Sequence, residues 1–234
     1  MAGAAKRNRM KGFACGWTAA LLAIAAPALA APSAQVSEQF GEIVFVGADG
    51  VARTLTHGGY YGDPTLSPDG RTVAFIHTDG AAADPNEAPP TSLWIADGPT
   101  GAVRKLIGPQ PAPTPAENFA AFAHPVFSLD GRLVYVSAAA WTASPAVHQV
   151  SLATGEQHFL IDGAVVSVIR TGPLRGFLLV GRHRAYPPPK VGGYDAVYAV
   201  RPDAKAMVPV PGSEVDDGKD HIGPWLAAHG WSAW

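Results

Sequence analysis

Gly230-Trp231-Ser232-Ala233-Trp234 opens like the G-x-S-x-G turn that lifts a nucleophilic serine above a hydrolase sheet. Its fifth position is Trp234, and the acid and histidine that should follow such a serine do not. The string is therefore read as a chance match. The eight histidines (His57, His77, His124, His148, His158, His183, His221 and His229) show no pair at the close helical spacing of a zinc site. Asp216, Asp217 and Asp220 sit with Gly218 and Lys219 in a polar stretch that suits a solvated turn. Gly58-Gly59 and Gly192-Gly193 fit turns and lack the strand-to-helix context of a phosphate loop. These patterns predict no catalytic residue, no metal and no cofactor.

The first thirty residues differ in kind from the rest. Lys6, Arg7, Arg9 and Lys11 form a basic start, residues 17–26 are an apolar run, and Pro27 precedes Ala28-Leu29-Ala30. A charged start, a short apolar stretch and a small-x-small site formed by Ala28 and Ala30 predict a secretory signal peptide over 1–30, cleaved after Ala30. A membrane span needs about 20 apolar residues, and this run is shorter. The expected location is periplasmic or secreted. The four basic residues leave with the signal, so the mature part keeps 13 basic residues against 19 acidic ones, a net charge of −6. A mildly acidic chain without a basic block is a poor partner for nucleic acid, whose phosphates need clustered Lys and Arg. The sole cysteine, Cys15, also lies in the signal, which excludes thiol and disulfide chemistry from the mature protein.

Beyond a linker at 31–40, short β-branched and aromatic runs alternate with turn residues. Residues 42–46 and 51–56 flank Gly47-Ala48-Asp49-Gly50 as a hairpin, and runs at 72–77, 92–96, 102–107, 133–137 and 147–152 continue the series. Others follow at 157–161, 165–170, 176–180, 196–200 and 206–210. No run supports an amphipathic helix, so the fold class is all-β. Asp63-Pro64-Thr65-Leu66-Ser67-Pro68-Asp69-Gly70-Arg71 recurs 61 residues later as His124-Pro125-Val126-Phe127-Ser128-Leu129-Asp130-Gly131-Arg132. A third, weaker echo begins at Arg175-Gly176. Ser-Pro-Asp-Gly suits a type I turn, with proline fixing the second position.

This turn, with its serine and the apolar strand after it, resembles the TolB-type β-propeller repeat over residues 41–211. The resemblance implies four-stranded antiparallel blades. The expected body has four blades, with the N-terminal hairpin completed by the tail at 212–234, or else is an open partial propeller. The family's namesake is a periplasmic interaction module with an extra N-terminal α/β domain. This chain has no room for that domain, so the namesake's specific role does not transfer.

In such blades the long inserts at 79–91, 108–122, 138–145 and 182–194 share one face, and the tight turns share the other. Long loops on a rigid scaffold are where recognition usually resides. These inserts are rich in proline and contain Trp141, Tyr186 and Tyr194, with His183 beside them. Stiff loops and aromatic anchors suit binding. Trp141, Tyr186, Tyr194 and His183 are the candidate binding residues. The expected function is a non-enzymatic module that binds an envelope protein or peptide. The alternative is a carbohydrate-active or small-ligand protein that uses the same face or the channel, and Asp, Glu or His converging in the channel favours it.

Overall fold

Ser67 and Ser128 build the same turn twice. Each hydroxyl donates to the Asp carboxylate two residues on, at 2.6 Å in both copies. Each also accepts the N–H five residues on, at 2.8 Å for Thr72 and 3.0 Å for Leu133. The closing glycines, Gly70 and Gly131, take φ of 72° and 69°, a left-handed conformation that side chains resist. The computed structural model describes residues 33–233 apart from 83, 86, 115, 142–143 and 215–217. The expected signal peptide and its cleavage residues Ala28 and Ala30 lie outside them.

From these turns grow four antiparallel sheets. The first contains β1 (Gln35–Gln39), β2 (Glu42–Val46) and β3 (Ala52–Thr54). The second contains β4 (Tyr61–Leu66), β5 (Thr72–Thr78), β6 (Thr91–Asp97) and β7 (Val103–Ile107). The third contains β8 (Ala123–Phe127), β9 (Leu133–Trp141), β10 (Ser144–Ser151) and β11 (Gln157–Asp162). The fourth contains β12 (Ala164–Val168), β13 (Leu178–Ala185), β14 (Gly193–Val200) and β15 (Met207–Pro209). Each sheet pairs its strands in chain order, as propeller blades do. The fold is an all-β propeller of four blades. Among the described residues no helix is long and apolar enough to cross a membrane.

The two-residue period of a strand makes each central strand serve two seams. On β5, Val73 and Phe75 pack against Ile43 and Phe45 of the first blade, while Ala74 and Ile76 pack toward Phe127 and Val134 of the third. On β9, Val134 and Val136 face the second blade and Tyr135 faces Val165 and Val180 of the fourth. Arg182 of β13 adds a polar tie across the last seam. Its guanidinium donates to the Asp162 carboxylate, and its Nε lies 3.1 Å from the Asp162 carbonyl oxygen.

Two expectations about the ends change. The segment at 31–40 is not a plain linker, because it contains β1. Among the described residues the tail does not pair into the first blade. It forms a 3-10 turn (Gly218–His221) and the helix α1 (Ile222–Ala228), then pairs singly as Ala233 with Ile169. The reason lies in β13 and β14, whose second face carries Leu179, Val197 and Ala199. Trp225, Leu226 and Trp231 cover that face. The tail thus occupies the side of the fourth blade that a directly closed ring would set against the first.

Candidate binding site at the channel mouth

Asp63 and His124 occupy the same place in the two clear repeats, just before the proline within each first strand. Both backbones are left-handed, at φ 53°. Both lie at a break in strand register, between Gly62 and Thr65 in β4 and between Ala123 and Val126 in β8. Such bulges re-aim a side chain, and non-glycine residues held at positive φ concentrate at functional sites. Here the bulges bring the two side chains together. The His124 backbone N–H donates to the Asp63 carboxylate, and His124 Nδ1 lies 3.4 Å from the same oxygen. A third bulge, between Val165 and Ser167, puts β12 beside them.

These residues line a cleft of about 330 Å³ formed by the first strands of three blades, with Ser167 and Lys219 completing its polar wall. Lys219 comes from the 3-10 turn and also lines a second cleft of about 430 Å³ between the third and fourth blades. Ser144, His183, Asp195 and Asp220 contribute to that second wall. Lys219 is therefore shared by two adjoining clefts on the long-insert side.

The electrostatics follow from the pairing. Burial opposes the charge on Asp63, but hydrogen bonds from the His124 ring and backbone outweigh it and hold the carboxyl below its ordinary range. The hydrogen bond to Asp63 raises the His124 pKa, against burial and the nearby Lys219 charge. His124 thus contributes stability fully below its unfolded value of 6.5 and loses it as pH rises through the raised folded value. Asp63 contributes above 3.8 and loses its contribution as pH falls through the lowered folded value. Both side chains are well exposed, so screening limits the gain to about 0.5 kcal/mol. His124→Gln is expected to lower the urea midpoint slightly at pH 5.5, and by less as the pH rises and the wild-type ring gives up its proton.

The structure brings three of the four expected binding residues together on the ribbon of β13 and β14. His183 Nδ1 is 3.0 Å from Asp195 Oδ1 and lines the second cleft. Tyr186 and Tyr194 stack with ring centres 5.1 Å apart, and Lys190 Nζ sits 3.3 Å from the Tyr186 ring centre. Trp141 ends β9, and its side chain lies outside the described residues. Of the expected loops, 138–145 is in large part an extension of its flanking strands, and 182–194 keeps a loop at 186–192 between the ends of β13 and β14. The sequence reading missed Asp63, His124, Asp195 and Lys219 as site residues. The offset of 61 had already aligned the first two, but their meeting depends on bulges that no residue pattern announces. Lys219 reaches the site only through the placement of the tail.

A second polar cluster forms around His77 of β5. Asp79 Oδ1 accepts from His77 Nδ1 and from the Ser92 hydroxyl, each at 2.7 Å, while Lys105 stands 3.7 Å from its other oxygen. Burial works against the Asp79 charge, and these partners outweigh it to keep the carboxyl below its ordinary range. Trp94 Nε1 donates to the Ser92 hydroxyl at 2.8 Å. Serine and histidine both converge on the carboxylate, so this is a structural network without a base poised on the serine.

Neither a protein-family model nor a curated protein sequence matches the chain. Among solved structures it is similar to a structure from an analysis of two prolyl endopeptidases, at 18% identity and a TM-score of 0.47, covering 76% of this chain and 29% of that one. It is also similar to the β-propeller domain of the Trilobed protease from Pyrococcus furiosus, described as having an open velcro topology. That match has 15% identity and a TM-score of 0.42, covering 67% and 45%. A protein assigned as TolB from Agrobacterium tumefaciens matches at 14% identity and a TM-score of 0.45, covering 72% and 55%. The chain thus spans less than two thirds of each of these structures.

Proposed function

We propose that this protein is an exported, non-enzymatic binding module that takes a protein or peptide of the cell envelope on its long-insert face. The observation that supports this most is Lys219, placed between two clefts that carry His124 and Asp63 on one side and His183 and Asp195 on the other. Charges of both signs at this spacing suit a peptide, which offers amide groups and ionised side chains together. The stacked Tyr186 and Tyr194 extend the surface with amphipathic rings that lose little freedom on binding. Export rests on the basic start, the apolar run and the Ala28-Leu29-Ala30 site.

The test is capture. The tagged precursor, expressed in its own host and crosslinked in the envelope, is expected to retain a discrete protein. Lys219→Glu, or joint replacement of Trp141, Tyr186 and Tyr194 by Ala, is expected to lose it while the variant remains folded. Recovery of the same protein with every variant would overturn the assignment of this face. One observation favours a second reading, a small polar ligand such as a carbohydrate. Asp63, His124 and Ser167 converge in the channel itself. Saturable glycan binding by the pure protein, abolished by Asp63→Ala and without any captured protein, would favour that reading instead.

A further inference from the structure

His148 of β10 is 0% exposed, and its ring nitrogen Nε2 is buried without a hydrogen-bond partner. The other nitrogen, Nδ1, lies 2.8 Å from Gln157 Oε1. An amide oxygen can only accept, so Nδ1 carries the proton and Nε2 presents a bare lone pair. A buried polar atom left unpaired is costly and calls for a reason. The register between β10 and β11 breaks between Val147 and His148. Such a bulge re-aims a side chain, and here the ring is set among aromatic neighbours.

The long insert at 108–122 covers that ring. Phe119 lies 4.9 Å from the His148 ring centre, Phe122 lies 4.1 Å from Phe119, and Phe159 of β11 stands 5.7 Å from the ring. Phe119 and Phe122 are both buried. The insert folds back on itself through one bridge. The Gln110 N–H donates to the Phe119 carbonyl at 2.6 Å, and the Phe119 N–H donates to the Gln110 carbonyl at 3.1 Å. Gln157 Nε2 lies 3.5 Å from Gln110 Oε1, so one glutamine touches both the ring and the insert. Ala121, between the two phenylalanines, is held at φ 48°, a left-handed backbone that L-residues resist. A short bridge and two buried rings thus hold the insert closed against local strain.

The charged groups on the surrounding elements have other partners. Glu117 of the insert accepts the Thr114 hydroxyl at 2.6 Å. On β7, Arg104 donates to the Leu152 carbonyl at 2.8 Å, and Lys105 stands 3.7 Å from Asp79. Beside β10, Glu156 and His158 pair at 3.2 Å, and Asp162 holds Arg182. β9 sets Val136 opposite the ring. We propose that the 108–122 insert is an acid-released latch, closed over neutral His148 and opened when the ring takes a proton from solvent at Nε2. The new N–H finds no acceptor until water enters, and water enters only when Phe119 lifts. Burial lowers the ring's pKa from 6.5, with the Gln157 hydrogen bond opposing it. The closed form is therefore fully favoured above 6.5 and loses favour as pH falls toward the lowered closed value, by up to about tenfold per pH unit. Buried histidines serve as switches in this way. His148 lines neither channel-mouth cleft, so the latch does not depend on that site.

Hydrogen exchange on the purified protein, corrected for the intrinsic rate at each pH, tests this. Protection of the Gln110 and Phe119 amides is expected to fall about tenfold between pH 7 and pH 5, while β5 amides stay protected. The His148 ring, followed by its nitrogen resonances, should titrate with the same midpoint. His148→Leu should leave the protection flat across this range, and His124→Gln should leave the fall intact. The proposal is overturned if wild-type protection does not change, or if His148→Leu shows the same fall. Should that variant not fold, the wild-type ring decides. A ring that takes up its proton while the Gln110 and Phe119 amides stay protected overturns the latch.

Discussion

Asp162→Ala is expected to destabilise the protein by about 3 kcal/mol, the scale for removing one partner of a largely buried ion pair. The Arg182 side chain is 10% exposed and points across the seam between the third and fourth blades. Its guanidinium donates to the Asp162 carboxylate, and a further Nε contact to that carboxylate spans 3.2 Å. Its NH1 lies 3.1 Å from the Met207 sulfur. Without the carboxylate, a charge remains in a site where water cannot fully replace the lost partner. Asp162→Asn keeps an acceptor and should lose much less. The double change Asp162→Leu with Arg182→Met should recover most of the loss, because removing both charges leaves no orphan. Urea unfolding of the four proteins at neutral pH checks the series. Equal losses for Asp162→Ala and Asp162→Asn would show that the retained acceptor does not replace the carboxylate, and no loss for Asp162→Ala would show that the pair contributes nothing to stability.

Gly218→Ala is expected to abolish binding at the channel mouth while the blades remain folded. A Cβ at residue 218 would lie 2.3 Å from the Ser213 carbonyl oxygen and 3.3 Å from that of Asp195. Ser213 cannot give way, because its hydroxyl accepts the Val197 N–H at 2.9 Å and it is fully buried against β14. The 3-10 turn must therefore lift, so that Lys219 leaves both clefts and Asp220 leaves the second. The expected result is at least a tenfold loss of affinity for the captured partner. The accompanying stability loss should be about 1–2 kcal/mol, typical of a local backbone clash. Lys219→Ala should match the affinity loss without the stability loss. If Gly218→Ala binds normally, the turn does not position the site.

Both predictions concern features that a residue pattern does not reveal. Arg182 and Asp162 are 20 positions apart on strands of different blades, and nothing in either neighbourhood marks them as partners. Gly218 lay in a stretch read as a solvated turn with Asp216, Asp217 and Lys219. Its burial arises from the return of the tail onto the fourth blade. The expected binding residues fared differently. His183, Tyr186 and Tyr194 were legible because aromatic and ionisable residues stood out in a proline-rich insert, and the strands flanking that insert hold them on one ribbon.

The repeat was the most legible element of all. Serine, aspartate, glycine and arginine at fixed offsets close a turn through local hydrogen bonds, and two copies of one local solution appear wherever the residues recur. The alternation on β5 and β9 was equally local in origin, since a strand's period is set by backbone geometry alone. β1 was missed because Gln35–Gln39 is mostly polar and exposed, and an edge strand with one partner needs little apolar content. Local residue patterns thus placed the turns, the blade unit and the strands other than β1, all of which depend on neighbours along the chain. Where the tail lies and which charges meet at the channel mouth follow from long-range packing. Those outcomes depend on which exposed apolar face the last residues cover, and the hydrophobic effect that drives this burial carries no direction along the chain.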